Sequence, residues 1–291
     1  MLDKALFLCY NILNESEDIM RNDNLGDRMK TYEAQTTSTM LMPNLPVYAR
    51  LDGRAFHNFC KYMYKPFDFT FIAVMQNVCK YLVDKTNAKL GYVQSDEISL
   101  CWEDPSKAPF DGRLFKLESV LASMATSAFT LECLYGKASN EELRERVRKL
   151  MPNFDCRVFQ LPSLSELANC FIWRENDATR NAISMVAQAN FSHSELQGKS
   201  SAEMQEMYFQ KTGHNFNNFP SSCKRGTYFQ RVNIKKKLDD ETLAKIAPNK
   251  RPEDGMVIRT EVRQLELPIM KHVENKVGVY FYGETPVMSG D

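Results

Sequence analysis

Two short acidic motifs stand among residues suited to phosphate chemistry. The first is "RLDGRAFHNF", residues 50–59, where Asp52 and Gly53 close an apolar run. The second is "GYVQSDEISL", residues 91–100, where Ser95, Asp96 and Glu97 separate two β-prone stretches. Carboxylates gathered at one point bind Mg²⁺, a hard cation that completes its shell with water and substrate phosphates. Two such ions can activate an attacking oxygen and stabilise a leaving one in phosphoryl transfer. Gly53 lacks a side chain and lets the backbone approach a triphosphate, so the amides of Gly53, Arg54, Ala55, Phe56 and His57 are candidate phosphate ligands. Arg50, Arg54, His57 and Lys65 add positive charge. A plainer account stays open at this point. Asp-Gly is a common turn pair, Ser-Asp-Glu can cap a hairpin, and a lone histidine is often a structural hydrogen-bonder.

These motifs need elements to bring them together. "LPVYARLDG" alternates as a strand, with Val47, Ala49 and Leu51 on one face and Tyr48 and Arg50 on the other. In "KPFDFTFIAVMQNVCKYLVDKTN" the apolar residues Phe71, Val74, Met75, Val78, Tyr81 and Leu82 recur at three and four, which predicts a helix entered after Pro66. "AKLGYVQSDEISLCWE" predicts two short strands whose turn carries the second acidic motif. "KLESVLASMATSAFTLECLY" predicts a helix with small residues on one side, and "ASNEELRERVRKL" a solvated one. "FDCRVFQLP" returns to a strand, and a long helix follows from Ser163, with Ser163 and Glu166 as a capping box. Ser200 and Glu203 form a second box, on a helix that Gly213 should close. "MVIRTEVRQLEL" and "VGVYFYGE" are strand-like. Residues 1–30 suggest a helical lead-in broken at "RNDNLGD". The order predicts an α+β fold: a largely antiparallel sheet with helices on one face, plus appended C-terminal helices and strands. The expected division is an N-terminal helical extension (1–26), a core that carries both acidic motifs (27–150) and a C-terminal part (151–291) that packs on it.

The composition narrows the class. Lys+Arg and Asp+Glu both number 37 in 291 residues, so bulk charge announces no nucleic-acid partner and any such surface must be local. The eight cysteines form no C-x-x-C pair and lie among apolar neighbours, as reduced core residues do. Nothing approaches a membrane span or a signal peptide, so a cytoplasmic protein with no membrane partner is expected.

Taken in order and spacing, "RLDGRAFHNF", "KPFD", "GYVQSDEISL", "FDCRVFQLP", "WRENDATRNAISMVAQ" and "KTGHNFNNFP…KRGTYF" resemble the signature segments of the tRNA-histidine guanylyltransferase superfamily. The resemblance covers roughly residues 27–232 and implies a palm-like (ferredoxin-like) core that adds nucleotides to the 5′ end of tRNA in the 3′-to-5′ direction. It implies two Mg²⁺ ions held by Asp52, Asp96 and the Gly53 carbonyl, with Glu97 as a further acidic residue needed for activity. ATP, GTP or other nucleoside triphosphates would be bound by the amides from Gly53 to His57, with Lys65 and Ser95, and Asp68 near the incoming base. A homo-oligomer, dimer or tetramer, is also implied.

One departure bears on the substrate. Members dedicated to tRNA-histidine carry a His-Ile-Asn-Asn-type segment, where this chain has Thr179 and Arg180 before Asn181. "DATRN" resembles instead the guanylyltransferase-like branch, which repairs 5′-truncated tRNAs by Watson–Crick templating. Asn181 stays with the nucleotide, and Arg180 falls to the RNA. In "CKRGTYFQRVNIKKK", Lys224, Arg225 and Tyr228 are candidates for phosphate neutralisation and base stacking; a solvated basic strand is the alternative. Two competing functions are a palm-fold cyclic-nucleotide synthase, opposed by the missing Gly-Gly before Asp96, and a non-catalytic tRNA-binding protein, opposed by the retained acidic residues.

Overall fold

The alternation in "PVYARLDG" becomes strand β1 (Val47–Gly53), which sits inside the sheet. In this computed structural model, which describes residues 24–252 and 254–290, β1 is flanked by β3 (Glu97–Trp102) and β4 (Phe154–Gln160). The remaining strands are β2 (Leu90–Gln94), β5 (Thr227–Lys237) and β6 (Met256–Leu265). The six strands run in the order β4-β1-β3-β2-β5-β6, every neighbouring pair antiparallel. The sheet therefore crosses the boundary expected at residue 150.

The helices are α1 (Asn24–Thr37), α2 (Phe56–Cys60), α3 (Phe69–Thr86), α4 (Leu114–Tyr135), α5 (Glu141–Leu150), α6 (Leu164–Gln188) and α7 (Ser201–Thr212), with several single turns between them. Helix α3 starts where Asp68 accepts the Phe71 amide at 2.9 Å, and it buries Phe71, Val74, Val78 and Leu82 at the predicted spacing. Helix α4 lies beside it and brings Ala125 and Ala128 down onto the sheet, small side chains that permit close approach. Between them Phe56, Phe59, Phe71, Phe129 and Phe154 pack ring to ring, with centroids 5.0 Å apart for Phe56 and Phe154. Burying each such ring stabilises the fold by roughly 1.5–3 kcal/mol. This cluster holds the turn after β1.

The second face is also covered. Tyr48, Tyr92, Phe171 and Tyr228 pack there with α6 and with residues 270–281 of the appended C-terminal part. At its centre Glu175 of α6 is 3% exposed and accepts from the Tyr228 hydroxyl at 2.9 Å and the Met270 amide at 3.2 Å. The Tyr228 and Tyr280 hydroxyls lie 3.0 Å apart. A third cluster joins the C-terminal half of α6 to Phe67, Tyr208 and Phe216.

Three local expectations are revised. "NLGD" is not a break, because α1 runs from Asn24 through Thr37; the rest of the expected N-terminal extension, residues 1–23, lies outside the described residues. Ser163 caps α6 by accepting the Glu166 amide at 3.2 Å, but the Glu166 carboxylate turns to Asn169, so this box is half formed. The box at Ser200 and Glu203 is complete, and Gly213 closes α7 at φ +72°. "VGVYFYGE" is a helical turn, Gly278–Tyr282, not a strand. A strand would turn alternate residues outward, whereas Val279, Tyr280 and Phe281 are all buried in succession.

Burial raises the Glu175 pKa, with the Tyr228 and Met270 hydrogen bonds opposing it. The neutral acid is therefore favoured in the fold, and the stability it confers is lost as pH rises through the raised folded value. Glu175→Gln should remove that loss. Urea midpoints measured from pH 4 to 8 should fall with rising pH more steeply in the parent than in the variant; parallel profiles would contradict this role.

Candidate active site

The antiparallel register decides which acidic residues meet. Asp52 lies opposite Glu97 on one side and Asp155 on the other. The β2–β3 hairpin turns in two residues, with Ser95 at φ +52°, and this places Asp96 beside the end of β1, where the Gly53 amide donates to the Asp96 carbonyl at 3.1 Å. Asp52, Ser95, Asp96 and Glu97 line one cavity of about 290 Å³ with Tyr92 and Gln94. Its far wall is α6, through Arg174, Ala178, Asn181 and Met185. Those four recur at intervals of four, three and four, so one helix stripe faces the carboxylates.

Within the cavity the acidic groups divide. Glu97 is held by Arg174, Nε to Oε1 at 2.6 Å, and Arg174 also reaches Asp177 at 2.9 Å. Asp177 in turn pairs with Arg180 at 3.0 Å. Arg174 lies over the Trp173 ring, 4.5 Å from its centroid, and Arg50 approaches the same ring at 5.6 Å. Asp52 and Asp96 make no ion pair among the described residues, and Ser95 Oγ donates to Asp96 at 3.1 Å. Burial, with the Asp52 charge adding to it, raises the Asp96 pKa. Burial also raises that of Glu97, against the pull of Arg174.

Glu97, expected as a further acidic residue of the site, lines the cavity but has its carboxylate held by Arg174. Among the described residues no group of three or more His, Cys, Asp or Glu side chains could hold a metal ion, and the Glu97 carboxylate is turned to Arg174. What remains is a pair of hard-oxygen donors, Asp52 and Asp96, partly buried and without an ion pair among the described residues. That donor set fits Mg²⁺, which commonly takes only one or two protein carboxylates and fills its shell with water and phosphate.

The other predicted residues separate into those at the cavity and those elsewhere. Ser95 and Asn181 line it. Gly53 and Arg54 have amides already bonded, to Asp96 and Asn153, so the expected five-amide cradle shortens to Ala55, Phe56 and His57 at the first turn of α2. The Phe56 side chain is core. Gly53 is required locally for another reason, since a Cβ there would lie 2.4 Å from the Phe56 ring. His57 and Lys65 are exposed. Asp68 is engaged as the cap of α3 and also accepts the Tyr64 amide at 3.3 Å. Tyr228, at 4% exposed and hydrogen-bonded to Glu175, cannot stack on an RNA base. Lys224 is buried and donates to the Asn217 carbonyl, which removes it from the expected basic surface. Arg225, bonded to Ser221, and Arg180 stay accessible. Arg174 was not anticipated from the motifs. Its place on the Asn181 stripe of a long amphipathic helix is the signal that identifies it.

Comparison with known proteins agrees with this geometry. The family model for tRNAHis guanylyltransferase matches residues 26–162, which hold both acidic motifs. A bacterial tRNA(His) guanylyltransferase-like protein solved with ATP superposes with a TM-score of 0.68 at 34% identity, over 89% of this chain and 100% of that one. The chain belongs to the tRNA(His) guanylyltransferase family. A bacterial guanylyltransferase-like protein solved with GTP gives 0.61 at 33% identity, over 86% and 94% of the two chains. The tRNA(His) guanylyltransferase of Schizosaccharomyces pombe is 28% identical over 214 residues, 69% of this chain and 77% of its own. The sheet is thus that of the guanylyltransferase-like palm, and the family is one of nucleotidyltransferases. Among the described residues no helix is long and apolar enough to cross a membrane.

The Glu97–Arg174 pair is partly buried, each side chain less than 15% exposed. Arg174→Met alone should destabilise by about 3 kcal/mol, since it strands a buried carboxylate. Adding Glu97→Gln should recover most of that loss. Chemical denaturation of the two single variants and the double variant measures the coupling; additive effects would show that the pair is not a unit.

Proposed function

We propose that this chain adds nucleotides to the 5′ end of tRNA in the 3′-to-5′ direction, and that template-directed repair of 5′-truncated tRNA is its main task. The observation that carries the reaction is the Asp52–Asp96 pair, open to the cavity while the guanidinium that lines it, Arg174, is committed to Glu97. Asp52 and Asp96, with the Gly53 carbonyl, would hold two Mg²⁺ ions. Those ions, when bound, supply charge neutralisation at the reacting phosphates and acidify a hydroxyl nucleophile.

The chain's own residues do the positioning. The first turn of α2 offers the amides of Ala55, Phe56 and His57 to a triphosphate, and exposed Arg54 and Lys65 add positive charge beside it. Ser95 fixes the Asp96 carboxylate. Asn181 presents an amide from the α6 wall to the nucleotide. In the reaction so framed, the RNA 5′-phosphate attacks the α-phosphorus of ATP and pyrophosphate leaves. The 3′-hydroxyl of the incoming nucleotide then attacks the RNA 5′-phosphorus and AMP leaves. A 5′-triphosphate end needs only the second attack, with pyrophosphate as the leaving group. Such chemistry rests on alignment and electrostatics without a protein nucleophile.

Repair is favoured over an obligatory G addition because α6 carries Thr179 and Arg180 where tRNA-histidine enzymes are expected to have His-Ile. The Thr179 hydroxyl donates to the Glu175 carbonyl at 2.8 Å, and Arg180 is tied to Asp177. Neither is arranged as a dedicated base reader.

A 5′-truncated tRNA incubated with labelled GTP, ATP and Mg²⁺ should gain label at its 5′ end, matched to the opposing strand. Asp96→Ala should lower incorporation by about a thousandfold or more, beyond the loss of a single hydrogen-bond donor, while tRNA still binds. Retained activity in that variant at ordinary Mg²⁺ would refute the assignment, and untemplated addition would refute repair.

A further inference from the structure

The segment "KYMYKPFDF", residues 61–69, joins α2 to α3 and carries an unusual surface. Tyr62, Tyr64 and Phe69 are 71%, 79% and 61% exposed. Single exposed rings are ordinary, but three within eight residues form a cluster that calls for a partner. The rings are not outward for lack of structure. Met63 is buried in the core under β1, and Phe67 in the separate cluster against α6 and α7. These two anchors pin the segment on both sides of Tyr64. The Met63 amide donates to the Cys60 carbonyl at 3.1 Å, and the Tyr64 amide to Asp68.

The surroundings are cationic. Lys61 Nζ lies 5.2 Å from the Tyr62 ring centroid and Arg146 5.6 Å from it. Arg146 is itself fixed by the Phe59 carbonyl at 2.9 Å and by Glu142 at 2.6 Å. Lys65 is exposed between Tyr64 and Phe69, and Asp68 is engaged with backbone amides. The segment leaves α2 at Cys60, whose thiol is close enough to Asp96 and Lys65 to feel both charges. The segment therefore sets out from near the candidate active site.

We propose that Tyr62 and Tyr64 form a stacking platform for unpaired bases of the RNA next to the reacting 5′ end, with Lys61 and Lys65 on the adjoining phosphates. The inference rests on the tRNA reading above. Rings interleaved with cations match single-stranded nucleic acid, in which each base offers a π-face and each linkage a negative charge. A second copy of this neutral chain would sooner require a continuous apolar patch, and these two rings are flanked by Lys61 and Lys65. A duplex conceals its base faces, so the ligand is the strand left unpaired when the 5′ end is short.

The test uses full-length protein and 5′-truncated tRNA carrying 2-aminopurine in the unpaired 3′ strand. Parent protein should quench that fluorophore. The double variant Tyr62→Ala/Tyr64→Ala should lose the quench and raise KM for the tRNA by about tenfold or more, the size that loss of one aromatic–base stack produces. Its kcat at saturating RNA and its thermal midpoint should stay near the parent's, since both rings are exposed. Tyr62→Phe/Tyr64→Phe should restore quench and KM, because phenylalanine keeps the π-face. Unchanged KM and quench in the alanine variant, with a parent that extends the tRNA, would overturn the platform alone. So would a changed oligomeric state in sedimentation with unaltered RNA affinity. A parent that binds ATP yet neither binds nor extends tRNA would overturn the tRNA reading, and the platform with it.

Discussion

Two carboxylates, Asp52 and Asp96, face one cavity at the end of a sheet, and neither makes an ion pair among the described residues. Placing like charges in a partly dry site is unfavourable, and the raised Asp96 pKa expresses that cost. The fold maintains the pair by covalent and hydrogen-bonded restraint: Asp52 ends a strand buried on both faces, and Asp96 sits in a two-residue turn whose carbonyl is tied to the Gly53 amide. A divalent cation carrying phosphates, as proposed, would relieve that cost.

Glu97 explains why the pair stays a pair. It is next to Asp96 in sequence and opposite Asp52 in register, so a third carboxylate could have crowded the same point. Arg174 draws it away to the α6 wall, and the chain Glu97–Arg174–Asp177–Arg180 alternates in sign along that wall. Helix α6 thus serves two purposes. It covers the second face of the sheet through Phe171 and Glu175, and it presents Asn181 to the cavity on the stripe that holds Arg174.

Much of this was legible before any coordinates. The alternation around Leu51, the three-four spacing from Phe71 to Leu82 and the turn at Ser95 each report a local period that burial enforces, and each held. Both acidic motifs came to one cavity because a hairpin and its neighbouring strand leave few registers open. What escaped was set by tertiary contact. The side-chain direction of Glu97 depends on Arg174, 77 residues away, and no local pattern encodes it. Tyr228 and Lys224 have the composition of an RNA surface, yet a buried acid claims one and the Asn217 carbonyl the other. "VGVYFYGE" has strand composition, but a pocket that buries three consecutive residues overrides that preference.

The central claim is that Asp52 and Asp96 together grip divalent cations that hold a nucleoside triphosphate. Soaking crystals with Mn²⁺ and a non-hydrolysable ATP analogue and recording anomalous scattering locates those ions directly. Manganese should be bound by Oδ atoms of both aspartates and by nucleotide phosphate oxygens, with Glu97 still on Arg174. Manganese at another site, or nucleotide seated there without any ion on Asp52 and Asp96, would contradict it.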